Sequence, residues 1–434
     1  MIAVFRSWVA TLFGAVRRRP WRALLLLAVL VALLGVAGAI LGRRWAAGHH
    51  LRAAEHDLAQ RDYDGALRHL ERCLELRPDH AEAHFLAART ARRRKKYPDA
   101  DRHLAACERL GWPADALALE RTLRRAQDGD LAGIEGPLQH MVDVLDHPES
   151  LGILEALARG YTKTLQYGNA QHVLDLWLQR RPDDVQALLW RGDLNEIRVR
   201  LISALVDFRR AVELAPQDEE AHARLGGALL LEGQPSEAAG HFEFVLSRRP
   251  DHPWAGVGLA RCRRAAGEVD EARDLLDRIL AAHPGYGPAL AERGKMELQT
   301  GAPSLAETWL RKSLSQMPYD REVKYNLADC LRQLKRKDEA ATLFAEVKRA
   351  EKEQQRLEDV IERINQSPRE IDPWAEAGAI SLRLGLDQDG LQWYAGALRL
   401  DPWHRASREA LAAYYERAGF PEIAERHRGF LTGR

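Results

Sequence analysis

The sequence predicts an all-α chain: a solenoid of about eleven stacked helix hairpins behind one N-terminal transmembrane helix. Three observations carry that expectation. Prolines recur every 34 residues, at Pro182, Pro216, Pro250, Pro284 and Pro318. Small and bulky side chains keep fixed places between them, and a single charge-free stretch of membrane length precedes the repeats. The composition agrees: 46% hydrophobic residues exclude both a disordered chain and a polytopic membrane protein. With 64 basic against 63 acidic residues, the net charge of +1 gives no reason to expect nucleic acid as a partner.

The first element runs from Ala23 to Gly42, twenty residues without a charge (ALLLLAVLVALLGVAGAILG). At ~1.5 Å per residue they span ~30 Å, the thickness of a bilayer's hydrocarbon core. Trp21 and Trp45 stand at the interfaces, and Arg22, Arg43 and Arg44 close the ends. Arg6, Arg17, Arg18, Arg19 and Arg22 precede the span, whereas Arg43, Arg44 and Arg52 follow it. That excess predicts a cytoplasmic basic tail at 1–22, with everything after residue 45 outside the cytoplasm, in the periplasm of a bacterium. The competing expectation is a signal peptide cleaved behind Ala37-Gly38-Ala39, although the apolar run exceeds the ~7–15 residues usual for one.

The repeats follow. Backwards, the proline ruler reaches Pro148, Pro113 and Pro78 with one-residue slips, and Pro368 to Pro402 is again 34. Within Val185–Asp218, Leu188, Gly192 and Asn195 share one helix face, while Ala204, Phe208, Ala211 and Leu214 share a second. Proline, which lacks an N–H and clashes with the preceding turn, ends each hairpin. The eighth place is small (Ala88, Ala158, Gly192, Gly226, Ala260, Gly294, Ala328, Gly378, Ala412), and so is the twentieth (Ala66, Ala100, Ala170, Ala204, Ala238, Ala272, Ala306, Ala340, Ala424). The twenty-fourth is large (Leu70, Leu104, Leu174, Phe208, Phe242, Leu276, Leu310, Phe344, Tyr394), a knob for the gap to the next hairpin. This places about nine units in 47–354 and two more in 371–434, the last of them (405–434) a polar-faced cap.

The small–small–large–proline signature resembles the tetratricopeptide repeat family over residues 47–434. Two units depart from it: Asp115–Ser150 has Ile134 where a small residue belongs, and Arg321–Gln354 has Lys352 in place of the closing proline. The resemblance implies a right-handed α-solenoid that binds a partner helix or peptide along a concave groove lined by the first helix of each pair. In that frame Arg89, Arg92, Glu155, Arg159, Asp193, Glu196, Arg261, Arg264, Lys295, Asp329 and Arg332 point into the groove. Their alternating sign would select a partner by charge pattern. Only Lys295 and Asn326 lie near the places where some relatives clamp a C-terminal carboxylate, so a dedicated receptor for such tails is disfavoured. The run Arg89, Arg92, Arg93, Arg94, Lys95, Lys96 has a second reading, as cations that favour a helix C-terminus.

The unit without its proline continues through Thr342–Gln366, which contains neither Pro nor Gly. Leu343, Val347, Ala350, Gln354, Leu357, Ile361 and Ile364 step by four and three, a short coiled-coil-like seam. A helix of ~25–30 residues is expected, with 355–370 as an extension. It either packs back on its neighbours or projects as a prong for docking or dimerisation.

Nothing in the chain matches a catalytic or cofactor motif: H-E-x-x-H, the P-loop, G-x-S-x-G and the dinucleotide glycine fingerprint are all missing. Cys73, Cys107, Cys262 and Cys330 form no C-x-x-C pair, and Cys73 and Cys107 occupy one core-facing place in successive repeats, which predicts buried thiols. His80 and His84 are four apart without a third ligand, and His80, His252 and His404 fall in the turns between repeats. No cofactor, metal or small-molecule substrate is therefore expected, and an enzyme built on His80 and His84 is a remote alternative. The expected function is a non-enzymatic scaffold or adaptor tethered to the membrane and binding another protein or peptide. An assembly or chaperone subunit of a cell-envelope or secretion complex is the alternative.

Overall fold

The structure, a computed structural model, describes residues 20–143 and 149–432. Among these residues there are 22 α-helices and no strand. The basic tail before Pro20, and Pro148, lie outside the described residues.

Helix α1 (Pro20–Ala59) is 40 residues long. Val31, Leu33, Leu34, Val36, Leu41 and Trp45 along it are exposed, whereas Ala47 and Ala54 are buried against Leu70, Cys73 and Ala83. The helix thus does not end with the apolar stretch at Gly42. It runs unbroken, through Ala37-Gly38-Ala39, into the first helix of the first hairpin, because nothing between 20 and 59 interrupts the i→i−4 ladder as an internal proline would.

The chain forms two compact units, Met1–Arg125 and Ala126–Arg434. In the first, α1 pairs with α2 (Tyr63–Leu76) and α3 (Ala81–Arg93) with α4 (Tyr97–Arg109), and α5 (Ala114–Gln127) follows. The second begins with α6 (Glu135–Asp143) and pairs α7 (Ser150–Lys163) with α8 (Tyr167–Arg180). Then come α9 (Val185–Ile197) with α10 (Leu201–Leu214), α11 (Glu219–Leu231) with α12 (Pro235–Arg248), and α13 (Pro253–Ala265) with α14 (Val269–Ala282). The last hairpins are α15 (Gly287–Gln299) with α16 (Pro303–Gln316), α17 (Arg321–Gln333) with α18 (Lys337–Gln366), α19 (Asp372–Arg383) with α20 (Asp387–Leu400), and α21 (Arg405–Arg417) with α22 (Pro421–Thr432).

The repeat signature has a direct steric meaning. The small eighth residue of a hairpin faces its own bulky twenty-fourth: Gly192 lies on Phe208, and a Cβ at Gly226 would stand 3.0 Å from Phe242, at Gly294 2.7 Å from Leu310 and at Gly378 2.9 Å from Tyr394. Ala204, Ala238, Ala272 and Ala306, at the twentieth place, are wholly buried. Two residues after the proline, Asp184, Asp218 and Asp320 cap the next helix, accepting from the N–H of Ala187, Ala221 and Val323 at 3.2, 3.0 and 2.9 Å. His252 does the same for Ala255 through Nδ1. The turn inside each hairpin puts its fifteenth residue in the left-handed region: Gly233, Gly267, Gly301, Gly385 and Gly419, but also Arg61, Lys95, Leu165, Val199 and Lys335.

Helix α18 is 30 residues long. It is no free coiled-coil prong. Leu357, Val360 and Ile364 are buried in one cluster with Trp374, Ile380, Trp393, Tyr394 and Leu411, so its second half is a wall of the hairpins that follow. Trp374 Nε1 donates to the Pro368 carbonyl at 3.2 Å and pins the return. Arg356 and Arg363 both reach Glu376, while Arg383 reaches back to Glu353.

The four cysteines are buried and free. Burial pushes the thiols of Cys107, Cys262 and Cys330 up to about 11. His80 is the N-cap residue of α3. His84 turns to His103 across the hairpin instead, Nδ1 to Nδ1 at 2.9 Å, with its Nε2 on the Pro78 carbonyl. The same cross-hairpin pair recurs as His50–His69 and His222–His241.

Candidate binding groove

In the second unit, the first helices of successive hairpins, α9, α11, α13, α15 and α17, line a concavity of about 660 Å³. Its floor is apolar, with Leu230, Leu231, Trp254 and Val257. Leu231 is 70% exposed and Trp254 39%. Gly227 makes room for the indole, since a Cβ there would stand 2.9 Å from Trp254. Phe242 supports the indole from below, edge to face at 5.7 Å.

Charges rim this floor, and two sets of them are paired. The Glu292 carboxylate is 1% exposed and accepts from Arg261 Nε at 3.0 Å and Arg264 Nε at 2.7 Å. A carboxylate so deeply buried holds its charge only with such partners. Lys295 Nζ lies 2.5 Å from Glu322, and that hydrogen bond holds the Glu322 carboxyl below its ordinary range. At the other end, Arg224 lies 3.3 Å from Asp193. Burial nevertheless pushes Asp193 up to about 6, and burial together with the neighbouring Asp193 raises Glu196. The arrangement suits a ligand presenting an apolar side chain between polar groups of both signs. Among the described residues, no three of His, Cys, Asp and Glu come together as a metal site would require.

Four of the residues expected in the groove meet here: Glu196, Arg261, Arg264 and Lys295. Asp193 joins them through Arg224. The others are placed elsewhere. Glu155 is buried, 3.6 Å from Arg159, whose guanidinium lies over the Trp190 ring at 4.6 Å. Asp329 and Arg332, one turn apart on α17, bond to each other at 3.0 Å. Arg92 corrects both readings of the basic run: it is 1% exposed, neither a solvated cap nor a groove residue. Its Nε donates to Glu120 at 2.8 Å, with Arg89 at 3.3 Å from the same carboxylate, because Glu120 on α5 is itself buried and needs cations.

Sequence reasoning missed Trp254, Leu231 and Glu292. A signal for the first existed: the Gly226-Gly227 doublet has one glycine more than the hairpin's close approach needs, and the second makes space for Trp254.

Two family models described as tetratricopeptide repeat match the chain, one over 57–107, 229–292 and 297–364, the other over 155–219. The chain is similar to "Cellulose synthase operon protein C" of Xanthomonas axonopodis pv. citri, 30% identical over 162 residues, which are 36% of this chain and 10% of that protein. It is also similar to "Cellulose synthase 1 operon protein C" of Komagataeibacter xylinus, 27% identical over 249 residues, 51% of this chain and 18% of that protein. The matched part is thus less than a fifth of either relative's length. Among solved structures, PilW, a type IV pilus biogenesis factor, matches with a TM-score of 0.42 and 22% identity over 45% of this chain and 91% of that one. A thermophilic tetratricopeptide repeat protein of Thermus thermophilus matches with a TM-score of 0.35 and 22% identity over 46% and 100%.

Proposed function

The chain belongs to the tetratricopeptide repeat family, and on that premise we propose that it is a non-enzymatic scaffold that holds a partner helix or peptide in the groove floored by Trp254 and Leu231. The observation carrying this reading is that concavity: an apolar floor beside which Glu292 is paired with Arg261 and Arg264, and Glu322 with Lys295, so that binding there adds apolar contact without stranding those ions. Stacked hairpins bury their apolar faces on one another and present extended concave surfaces that fit such ligands.

Helix α1 is the tether. It is long and apolar enough to cross a bilayer, and its continuity into the first hairpin would fix that hairpin to the membrane without a flexible linker. The arginine bias around the span supports a periplasmic side for the repeats in a bacterium. A second reading, an assembly subunit of an envelope machine, is favoured by the relatives named for a cellulose synthase operon.

The test is a photo-crosslinking amino acid at Leu231 of the full chain in its native host. A discrete crosslinked protein, lost when Trp254→Ala is added and unaltered when the crosslinker-bearing chain carries Lys335→Ala, is the expected result. Crosslinking that survives Trp254→Ala would show that the captured partner does not rest on Trp254 and overturn this groove reading.

A further inference from the structure

The hairpin α9–α10 differs from its neighbours at its tip. Ile197, Val199, Ile202 and Val206 are 51, 89, 73 and 63% exposed. The repeats supply their own control. At the place of Val199 the next three units have Gly233, Gly267 and Gly301; at that of Ile202 they have Ser236, Asp270 and Ser304; at that of Val206, Gly240, Asp274 and Thr308. Large aliphatic side chains therefore stand in the turn and the first two turns of α10 where the next three hairpins are small or polar. Ile202 and Val206 are four apart and share a helix face.

Val199 sharpens the observation. Its φ is +56°, left-handed, a conformation that a β-branched residue resists most. Strain of this kind persists where something other than stability requires the side chain. The residues on either side are Arg198 and Arg200, near enough for each to oppose the other's charge. Neither makes an ion pair with a described residue, unlike Arg191, Arg209 and Arg210 nearby, which hold Asp207, Glu237 and Asp183.

We infer that the 197–206 hairpin tip is a membrane-docking surface, its aliphatic side chains entering the boundary of an anionic bilayer while Arg198 and Arg200 pair with lipid phosphates. Two unneutralised cations call for an anionic surface, and basic residues interleaved with aliphatic ones are the composition that lies at a headgroup–acyl boundary. The inference rests on the reading that α1 enters a membrane, which keeps a bilayer within the chain's reach.

The experiment uses the full chain reconstituted into phosphatidylcholine vesicles, with or without phosphatidylglycerol. An environment-sensitive fluorophore is attached at Val199→Cys, at Ile202→Cys, and at Lys335→Cys, which occupies the same turn position in the α17–α18 hairpin; the native cysteines are buried. Flotation with the vesicles reports insertion of α1 by itself. With phosphatidylglycerol present, quenching by nitroxide-labelled lipid is expected to be severalfold stronger at 199 and 202 than at 335, and to fall to the level of 335 when Arg198→Glu and Arg200→Glu are added. Equal quenching at all three sites in protein that floats overturns the inference while leaving the anchor intact. A spectral shift at 199 that follows protein density and not lipid charge also overturns it, in favour of a second copy of the chain covering the tip. Failure to float overturns the anchor itself, and the lipid surface with it.

Discussion

Val199 is held in a backbone conformation that glycine takes freely and that costs a β-branched residue ~1–3 kcal/mol. Glycine at the same place loses more backbone entropy on folding, by ~0.5–1 kcal/mol. Strain wins, so Val199→Gly is expected to stabilise the hairpin by about 1 kcal/mol in urea unfolding, the opposite of the usual effect of a glycine substitution. Unchanged or lower stability would show that Val199 makes contacts worth as much as its strain. The left-handed fifteenth place was not legible in the sequence, because five of the turns that use it carry Arg, Lys, Leu or Val instead of glycine. The charged groove residues were legible only as a helix face. That Arg261 and Arg264 converge on Glu292, whereas Arg92 is taken into the core by Glu120, depends on side chains from helices 28 to 31 positions away.

At the scale of the element, proline spacing marked nearly every hairpin boundary, since a proline is excluded from a helix interior and tolerated only in its first turn. Where the proline is replaced by Lys352, the sequence showed that the helix continues but left its destination open. Apolar periodicity names a face and not what covers it. The destination is set by Trp374, whose hydrogen bond to Pro368 turns the chain so that Leu357, Val360 and Ile364 meet the next hairpin. Restoring the repeat rule is therefore expected to harm the protein. Lys352→Pro puts a proline in the middle of a 30-residue helix, at a cost of ~3 kcal/mol or more. The expected outcome is faster hydrogen exchange in 345–366 and in α19, with α9–α16 unaffected. Protection unchanged across 345–366 would mean that the two halves of α18 are held independently by their neighbours.

Within the second unit, stability is a sum of hairpins and of the contacts between neighbours, so one contact can be removed without dismantling the rest. Phe242 illustrates how a contact of this kind is made: its ring is packed between Gly226 of its own hairpin and Gly258 of the next, and a side chain at Gly258 would collide with it. The groove crosses this same boundary, with Leu230 and Leu231 before it and Trp254, Arg261 and Glu292 after it. Gly258→Val should consequently act on two observables at once. Overpacking of a core contact costs ~1–3 kcal/mol, and here that loss falls on the junction, so that cooperative unfolding of the unit should split into two transitions, with exchange protection lost first in α12 and α13. The crosslink from Leu231 should weaken in parallel, because its two walls no longer hold a fixed distance. Gly240→Val, on an exposed face with nothing within 4 Å of its Cβ, is the matched control and should change neither. If Gly258→Val preserved a single transition while abolishing the crosslink, the groove would depend on Gly258 locally, and the account of stability as a chain of neighbour contacts would fail at this junction.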